Sequence, residues 1–353
     1  MNWKNIFTEK LGIEYPFIQA PMLGVTMPAM VAAISNAGGL GSLPVGGLPP
    51  DKVLALIEET KKLTNKPFSV NMFANQYPSS VDEASWNDMQ ELIEQFANRY
   101  ELSYQKQLVP SLKFFSYKEQ LEILLSQKIA AVSFTFGILD EDAINALHKN
   151  GMQLIGTATS AEEAKALSDN GIDMITAQGI EAGGHRGSFL NEDAPQVGLM
   201  ALLPQVIEVT DKPVIASGAI TNGKNIRAAM MLGAQAVQAG SAFISCNESA
   251  ANATYKAALN NATGTSTVLT KSYTGRWMRC IKNDFTKTVD ASGLTINEYP
   301  IQQLLTSFLR TLYENKNATS FLPMLMGQNP RKSNSKGAAE IMMEMIEEAE
   351  ANE

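Results

Sequence analysis

The sequence predicts an α/β fold: a (β/α)8 TIM barrel with a small cap built from an insertion and a C-terminal extension. Eight short, mostly apolar runs recur along the chain, with helical patterns between them. Buried strands separated by helices imply parallel pairing with right-handed crossovers. Eight regular units in 353 residues favour closure into a barrel, with a doubly wound open sheet as the competing architecture.

The elements follow in order. FIQAPM (Phe17–Met22) reads as a strand, and PAMVAAISNAGG as a helix stopped by glycines. GLGSLP (Gly39–Pro44) is the second strand. DKVLALIEETKKLT (Asp51–Thr64) has helical period, with Asp51 as its expected cap. FSVNMF (Phe68–Phe73), AAVSFTF (Ala130–Phe136), MQLIGTA (Met152–Ala158) and DMITAQG (Asp173–Gly179) come next. LDEDAINALHKNG and SAEEAKALSDNG are the helical stretches among them. PVIASG (Pro213–Gly218) and AVQAGSAF (Ala236–Phe243) complete the eight, divided by NGKNIRAAMMLGA.

Two segments break the repeat. The expected organisation is a first part of the barrel over 1–74, an inserted cap over 75–113, the remainder of the barrel over 114–260, and an extension over 261–353 that packs on it. The insertion carries an amphipathic piece, WNDMQELIEQFANRY, and is too long for a plain βα loop. The acidic tail EMIEEAEANE reads as a solvated helix end.

Composition narrows the function classes. Hydrophobic residues make up 45% and charged residues 18%, which suits a large single-core enzyme. A net charge of −8 argues against broad binding to nucleic acid or an anionic membrane. No apolar run reaches membrane-spanning length, and the charged N-terminus shows no signal-peptide pattern. With two cysteines, Cys246 and Cys280, and two histidines, a disulfide framework or zinc site is not expected. These features predict a cytoplasmic protein that acts on a small molecule. They leave the oligomeric state open.

Barrel enzymes carry their chemistry at the C-terminal strand ends. Here those ends offer amides and glycines: Gln19, Asn71, Gln178, Ser217–Gly218 and Gln238–Ser241. Gly218 and Gly240 stand where strand passes to helix. There glycine lets the backbone approach a ligand or adopt positive φ, and helix N-termini suit a phosphate. Tight turns without a ligand would read the same way. Asn71 and Gln178 tilt the balance, because amides can pair with a planar heterocycle. The sixth strand runs into ITAQGIEAGGHRGSF, which places His185 between glycine pairs. An imidazole there can take a proton from carbon or hold an anion.

The stretches IQAPMLG, AISNAGGLGS, VNMF, VSFTFG, QGIEAGGHRG, PVIASGAI and GAQAVQAGSAF, with TGRWMRCIKNDF and MGQNP, span nearly the whole chain. In them the chain resembles the nitronate monooxygenases, formerly 2-nitropropane dioxygenases, which are FMN-dependent TIM barrels. The resemblance implies FMN on the C-terminal face. Asn71, Gln178, Gly183 and Gly184 would lie at the flavin, and Ala20, Pro21 and Met22 behind the isoalloxazine. Gly218 with Gln238, Ala239, Gly240 and Ser241 would cradle the phosphate, and His185 would be catalytic. The implied activity is oxidation of alkyl nitronates, such as propionate 3-nitronate, by O2 to a carbonyl product and nitrite or nitrate. Two alternatives share these motifs: an FMN-dependent NAD(P)H enoyl-thioester or quinone reductase, and a non-catalytic FMN-binding module.

Some residues depart from the family pattern. Val25 stands in place of a second glycine, Thr135 in place of a histidine found in one subgroup, and Ala219 in place of a glycine. Ala219 fits the turn if its φ is negative. Ala239 and Ser241 replace Met and Thr. Arg186 is expected to pair with Glu181 and stiffen the loop rather than face the phosphate, and Cys246 to be a packing residue. His148, near a helix C-terminus, is expected to meet the helix dipole. Arg276 and Lys282 could lend positive charge to an anionic substrate.

Overall fold

The computed structural model describes residues 2–110, 112–190, 193–331 and 335–351. Eight of its strands form one parallel sheet: β1 (Phe17–Gln19), β2 (Gly41–Pro44), β3 (Phe68–Phe73), β4 (Ala131–Thr135), β5 (Gln153–Ala158), β6 (Met174–Gln178), β8 (Val214–Ser217) and β9 (Ala236–Ala239). Their order is β1-β9-β8-β6-β5-β4-β3-β2. The two edges meet through a parallel bridge between Ile18 and Leu40. There Leu40 N donates to Phe17 O at 2.8 Å and Gln19 N to Leu40 O at 3.0 Å. The sheet is therefore a closed (β/α)8 barrel, and the open-sheet alternative falls away.

Period-two alternation splits the strand residues between two cores. Ile18, Ala131, Ile155, Met174, Ile215 and Ala236 form an inner cluster with Phe7 and Leu11. The last two come from the helix Ile6–Leu11, which packs near the N-terminal strand ends. Val70, Val132, Leu154, Ile175 and Ala216 face outward into the larger cluster with the helices. With that end filled by apolar side chains, the polar strand ends are left at the opposite mouth.

A second, antiparallel sheet joins β7 (Gly184–His185) to β11 (Met278–Ile281) and β11 to β10 (Thr267–Thr270). The insertion forms the helix Glu83–Arg99, capped by the Asp82 side chain. It packs on the extension: Phe96 meets Phe285 edge-on at 5.2 Å, and Tyr100 Oη donates to Asp284 Oδ2 at 2.6 Å.

Two expectations need correction. Asp51 is not a cap. The helix Pro50–Leu63 starts from Pro49 with proline in its first turn, and Asp51 lies inside that turn, where it faces the positive dipole end. The acidic tail is more than a solvated end. The helix Ala338–Glu350 buries Ile341, Met342, Met345 and Ile346, while Glu344 and Glu348 each lie 3.0 Å from Arg331. Residues 352–353 lie outside the described residues. Among the described residues, no helix is long and apolar enough to cross a membrane.

Candidate active site

A cavity of about 550 Å³ opens at the C-terminal strand ends. It brings together Ala20, Pro21, Met22, Asn71, Gln178, Gly183, Gly184, His185, Gly218, Gln238, Gly240 and Ser241. Ala239 is not in its lining. That residue is buried, and its carbonyl accepts from Ala20 N at 2.8 Å, which ties β9 to the turn after β1.

The histidine loop is rigidly held. A Cβ on Gly183 would stand 2.5 Å from Gly327 N and 2.6 Å from the Met326 carbonyl carbon, so only glycine fits. Gly184 has φ +81°. Its strand then pairs Gly184 with Arg279 and His185 with Met278. Gln178 serves the same loop: Nε2 donates to His185 O at 3.0 Å, and Oε1 accepts from Gly187 N at 2.8 Å and Arg186 Nη1 at 3.1 Å. One amide N–H of Gln178 is left for a ligand. Arg186 is buried and donates to the Gly179 and Pro195 carbonyls at 2.7 and 3.2 Å. Its role is structural as expected, but its partner is not Glu181, whose carboxylate instead accepts from Leu199 N at 3.0 Å. Asn71 donates to Ser133 Oγ at 3.0 Å.

His185 Nε2 lies 2.9 Å from Thr274 Oγ1. Phe136 and Tyr299 stand edge-on to its ring at 5.7 and 6.0 Å. Burial, reinforced by the positive charges of Arg276 and Arg310, pushes the imidazole pKa down to about 3. The resting histidine is therefore neutral. Phe136 has φ +74°, a strained conformation for an aromatic residue, and Arg276 stacks on it at 4.2 Å. Arg276 also donates to Ser188 O at 2.9 Å, and it is not in the cavity lining. Lys282 is not in the cavity lining.

Sequence reasoning missed several lining residues, notably Tyr299, Tyr255 and Arg310. Arg310 comes from the 3-10 turn Ser307–Thr311. Among the described residues, its guanidinium has no hydrogen-bond or ion-pair partner. It is solvent-accessible yet densely surrounded, as a side chain projecting into a cavity is, and burial lowers its pKa. No carboxylate belongs to the described lining. Tyr299 and Arg310 lie in short, irregular pieces that give no periodic signal, whereas Tyr255 lies in the helix Ala253–Asn261, outside the eight barrel units.

The turns after β8 and β9 differ from expectation. Gly218 has φ +123°, and Ala219 has φ +57° rather than a negative value. Gly240 has φ −115°, so it does not use the left-handed region. The N-terminus of the helix Gly223–Met231 is partly taken: the Asn222 side chain accepts from Asn225 N, and Gly223 N donates to Glu348 Oε2 at 2.9 Å. After β9 there is only a 3-10 turn, Ser241–Phe243. Further free donors lie in the turns themselves. Among the described residues, nothing accepts from the Ala219 or Gly240 N–H. A Cβ on Gly240 would project toward Ala20 Cβ at 3.4 Å and Met22 Sδ at 3.6 Å, partly filling the gap between the turn and the β1 loop. Unpartnered donors beside a gap fit a flavin phosphate.

Two other residues stand apart. Burial raises the Cys246 thiol to about 12, which makes it an inert packing residue. His148 Nε2 meets Asp173 Oδ2 at 2.9 Å, so a carboxylate joins the helix end as its partner.

Comparison with known proteins shows the family. The family model described as nitronate monooxygenase matches residues 4–348. A "Probable nitronate monooxygenase" of Staphylococcus aureus is 37% identical over 345 residues, covering 97% of this chain and 96% of that protein. The solved structure of a nitroalkane oxidase from Streptomyces ansochromogenes superposes with a TM-score of 0.87 at 32% identity, covering 98% of both chains. FabK from Thermotoga maritima shares the fold, with a TM-score of 0.75 at 24% identity over 99% of this chain and 97% of that one. Nitronate monooxygenases are in general flavin enzymes. By its sequence over almost its full length, and by the barrel that carries the matching loops, this chain belongs to the nitronate monooxygenase family of oxidoreductases.

Proposed function

We propose that this protein uses FMN and O2 to oxidise alkyl nitronates, such as propionate 3-nitronate, to a carbonyl product with release of nitrite or nitrate. The observation that carries this reading is a cavity with no carboxylate in its described lining, a neutral His185 and the cation Arg310, which has no partner among the described residues. An anion is the ligand such a site favours.

The phosphate of FMN is read onto the turns at Gly218–Ala219 and Gly240–Ser241. One phosphate site, without a second dinucleotide fingerprint, favours FMN over FAD. In this reading Asn71, Gln178, Gly183 and Gly184 would meet the isoalloxazine, with Ala20, Pro21 and Met22 behind it; that all seven line one cavity supports it. The flavin, when bound, supplies the electron acceptor and the route to O2.

His185 is the catalytic residue in this reading, and its role is to orient the anion. A group with a pKa of about 3 is a poor base for a carbon acid, because the proton transfer runs uphill. A nitronate has already lost that proton. The likeness to FabK, at 24% identity, is one of fold alone.

His185→Asn tests the role. Oxygen consumption is measured with a nitroalkane and with its preformed nitronate, on variant protein shown to hold full FMN. The expected result is a fall in nitronate kcat/KM of about tenfold or more, at least as large as any fall with the nitroalkane. Selective loss of nitroalkane turnover would make His185 the base after all. Undiminished activity on both forms would remove it from the chemistry.

A further inference from the structure

The stretch Gly327–Arg331 runs across all three loops that border the cofactor side of the cavity. Gly327 N donates to Ser241 Oγ at 2.9 Å, at the β9 turn. Gln328 N donates to Glu181 O at 2.9 Å, at the histidine loop. Asn329 Nδ2 donates to Ala219 O at 3.0 Å and to Asn225 Oδ1 at 3.1 Å, at the β8 turn. Arg331 Nη1 then donates to Thr221 O at 2.8 Å. The far side of Arg331 is anchored on the C-terminal helix, at 3.0 Å from both Glu344 Oε2 and Glu348 Oε1. Glu348 also accepts from Gly223 N, which fastens that helix to the one following β8.

Ala219 gives this strap a task. It is a non-glycine residue at φ +57°, and an L side chain there works against its own preference. Its carbonyl is held by Asn329. Its N–H has no acceptor among the described residues, and the residue lines the cavity. Without the bond to its carbonyl, Ala219 is free to relax toward negative φ, which changes how the adjoining peptide presents that N–H.

We propose that Asn329 is a positioning residue for the cofactor phosphate: it holds the β8 turn, with Ala219 left-handed, in the shape that receives the anion. The proposal rests on the FMN reading above. Asn329 itself lines the cavity beside Ala219, and in this scheme it acts on the phosphate through the Ala219 carbonyl it holds. The C-terminal helix, by way of Arg331, fixes the strap against the same turn. A substitution at Asn329 therefore falls on the phosphate and spares the ring system.

Riboflavin, which has the ring and ribityl chain of FMN without its phosphate, separates these effects. Wild type, Asn329→Ala and the double variant Ala219→Gly/Asn329→Ala are stripped of flavin and titrated with FMN and with riboflavin by fluorescence quenching. Wild type is expected to bind FMN more tightly than riboflavin. Asn329→Ala should weaken FMN by about tenfold, the scale of one lost hydrogen bond to a strained turn, and riboflavin by less than about twofold. Adding Ala219→Gly should recover several-fold of the lost FMN affinity, because glycine holds positive φ without strain. Equal losses for both flavins would reduce Asn329 to a general structural role and overturn the proposal, as would an unchanged FMN affinity. A wild type that does not distinguish FMN from riboflavin would overturn the phosphate reading itself. If Asn329→Ala does not fold, Asn329→Leu removes the same donor at nearly the same size.

Discussion

The cavity has two sides, and they are built from different material. The side after β8 and β9 is made of backbone: small residues, tight turns and N–H groups without acceptors among the described residues. The side at His185 is made of large side chains: Phe73, Phe136 and Tyr299 in mutual ring contact, with the Arg310 guanidinium in the same lining. A backbone surface binds what every member of a flavin-binding barrel must hold. A side-chain surface can be altered residue by residue without disturbing the turns. Cofactor retention and substrate choice should therefore fail separately when each side is perturbed.

The largest effect is expected where the two sides meet. In Gly183→Val the new side chain has backbone from Met326 and Gly327 in its way, and backbone cannot give as a side chain can. Overpacking of this kind costs about 1–3 kcal/mol. The loop should shift, flavin content should fall and the melting temperature should drop together, measured on the same preparation. Full flavin occupancy with unchanged melting would mean that the strap and loop are not packed as described.

Arg310→Ala should act on the substrate side alone. Loss of a charged hydrogen-bond donor to an anion is worth about 1.5–3 kcal/mol, or roughly ten- to a hundredfold. The expectation is a higher KM for a nitronate carrying a carboxylate, a smaller change for a simple alkyl nitronate, and normal flavin content. Equal effects on both nitronates would show that Arg310 does not read the second charge.

The third effect is a pH dependence of folding, and it sharpens the case for a neutral histidine. His185 titrates at about 3 in the folded protein against an ordinary 6.5. Between those values the unfolded chain binds the proton and the folded chain does not, so stability rises with pH across that window and its gain is complete above about 6.5. Denaturant unfolding of the flavin-free protein from pH 4 to 7 should show this slope, and His185→Asn should flatten it. An unchanged slope would place the imidazole in a wetter, more basic setting.

These contrasts also mark what a sequence can disclose. The barrel was legible because each buried parallel strand is a compact apolar run punctuated by glycine or proline, and the histidine loop because its glycine spacing is unusual. The backbone angles of the turns were not. Ala219 lies at positive φ because Asn329, 110 positions away, holds its carbonyl, and Gly240 lies at negative φ because a short 3-10 turn follows it. Nor was the aromatic and cationic wall legible. Tyr299 and Arg310 belong to irregular pieces of the extension, where no period marks which face turns inward. Asp51 misled for a local reason: two prolines ahead of it had already set the helix start.

The central claim is that the flavin of this protein is reduced by a nitronate and not by a nicotinamide. Anaerobic mixing of the flavin-loaded protein with propionate 3-nitronate and, separately, with NADH and NADPH tests it in one experiment, read by flavin absorbance. The account predicts a rapid loss of the oxidised flavin spectrum with the nitronate and none with either nicotinamide. Bleaching by NADH or NADPH, with the nitronate inert, would contradict it.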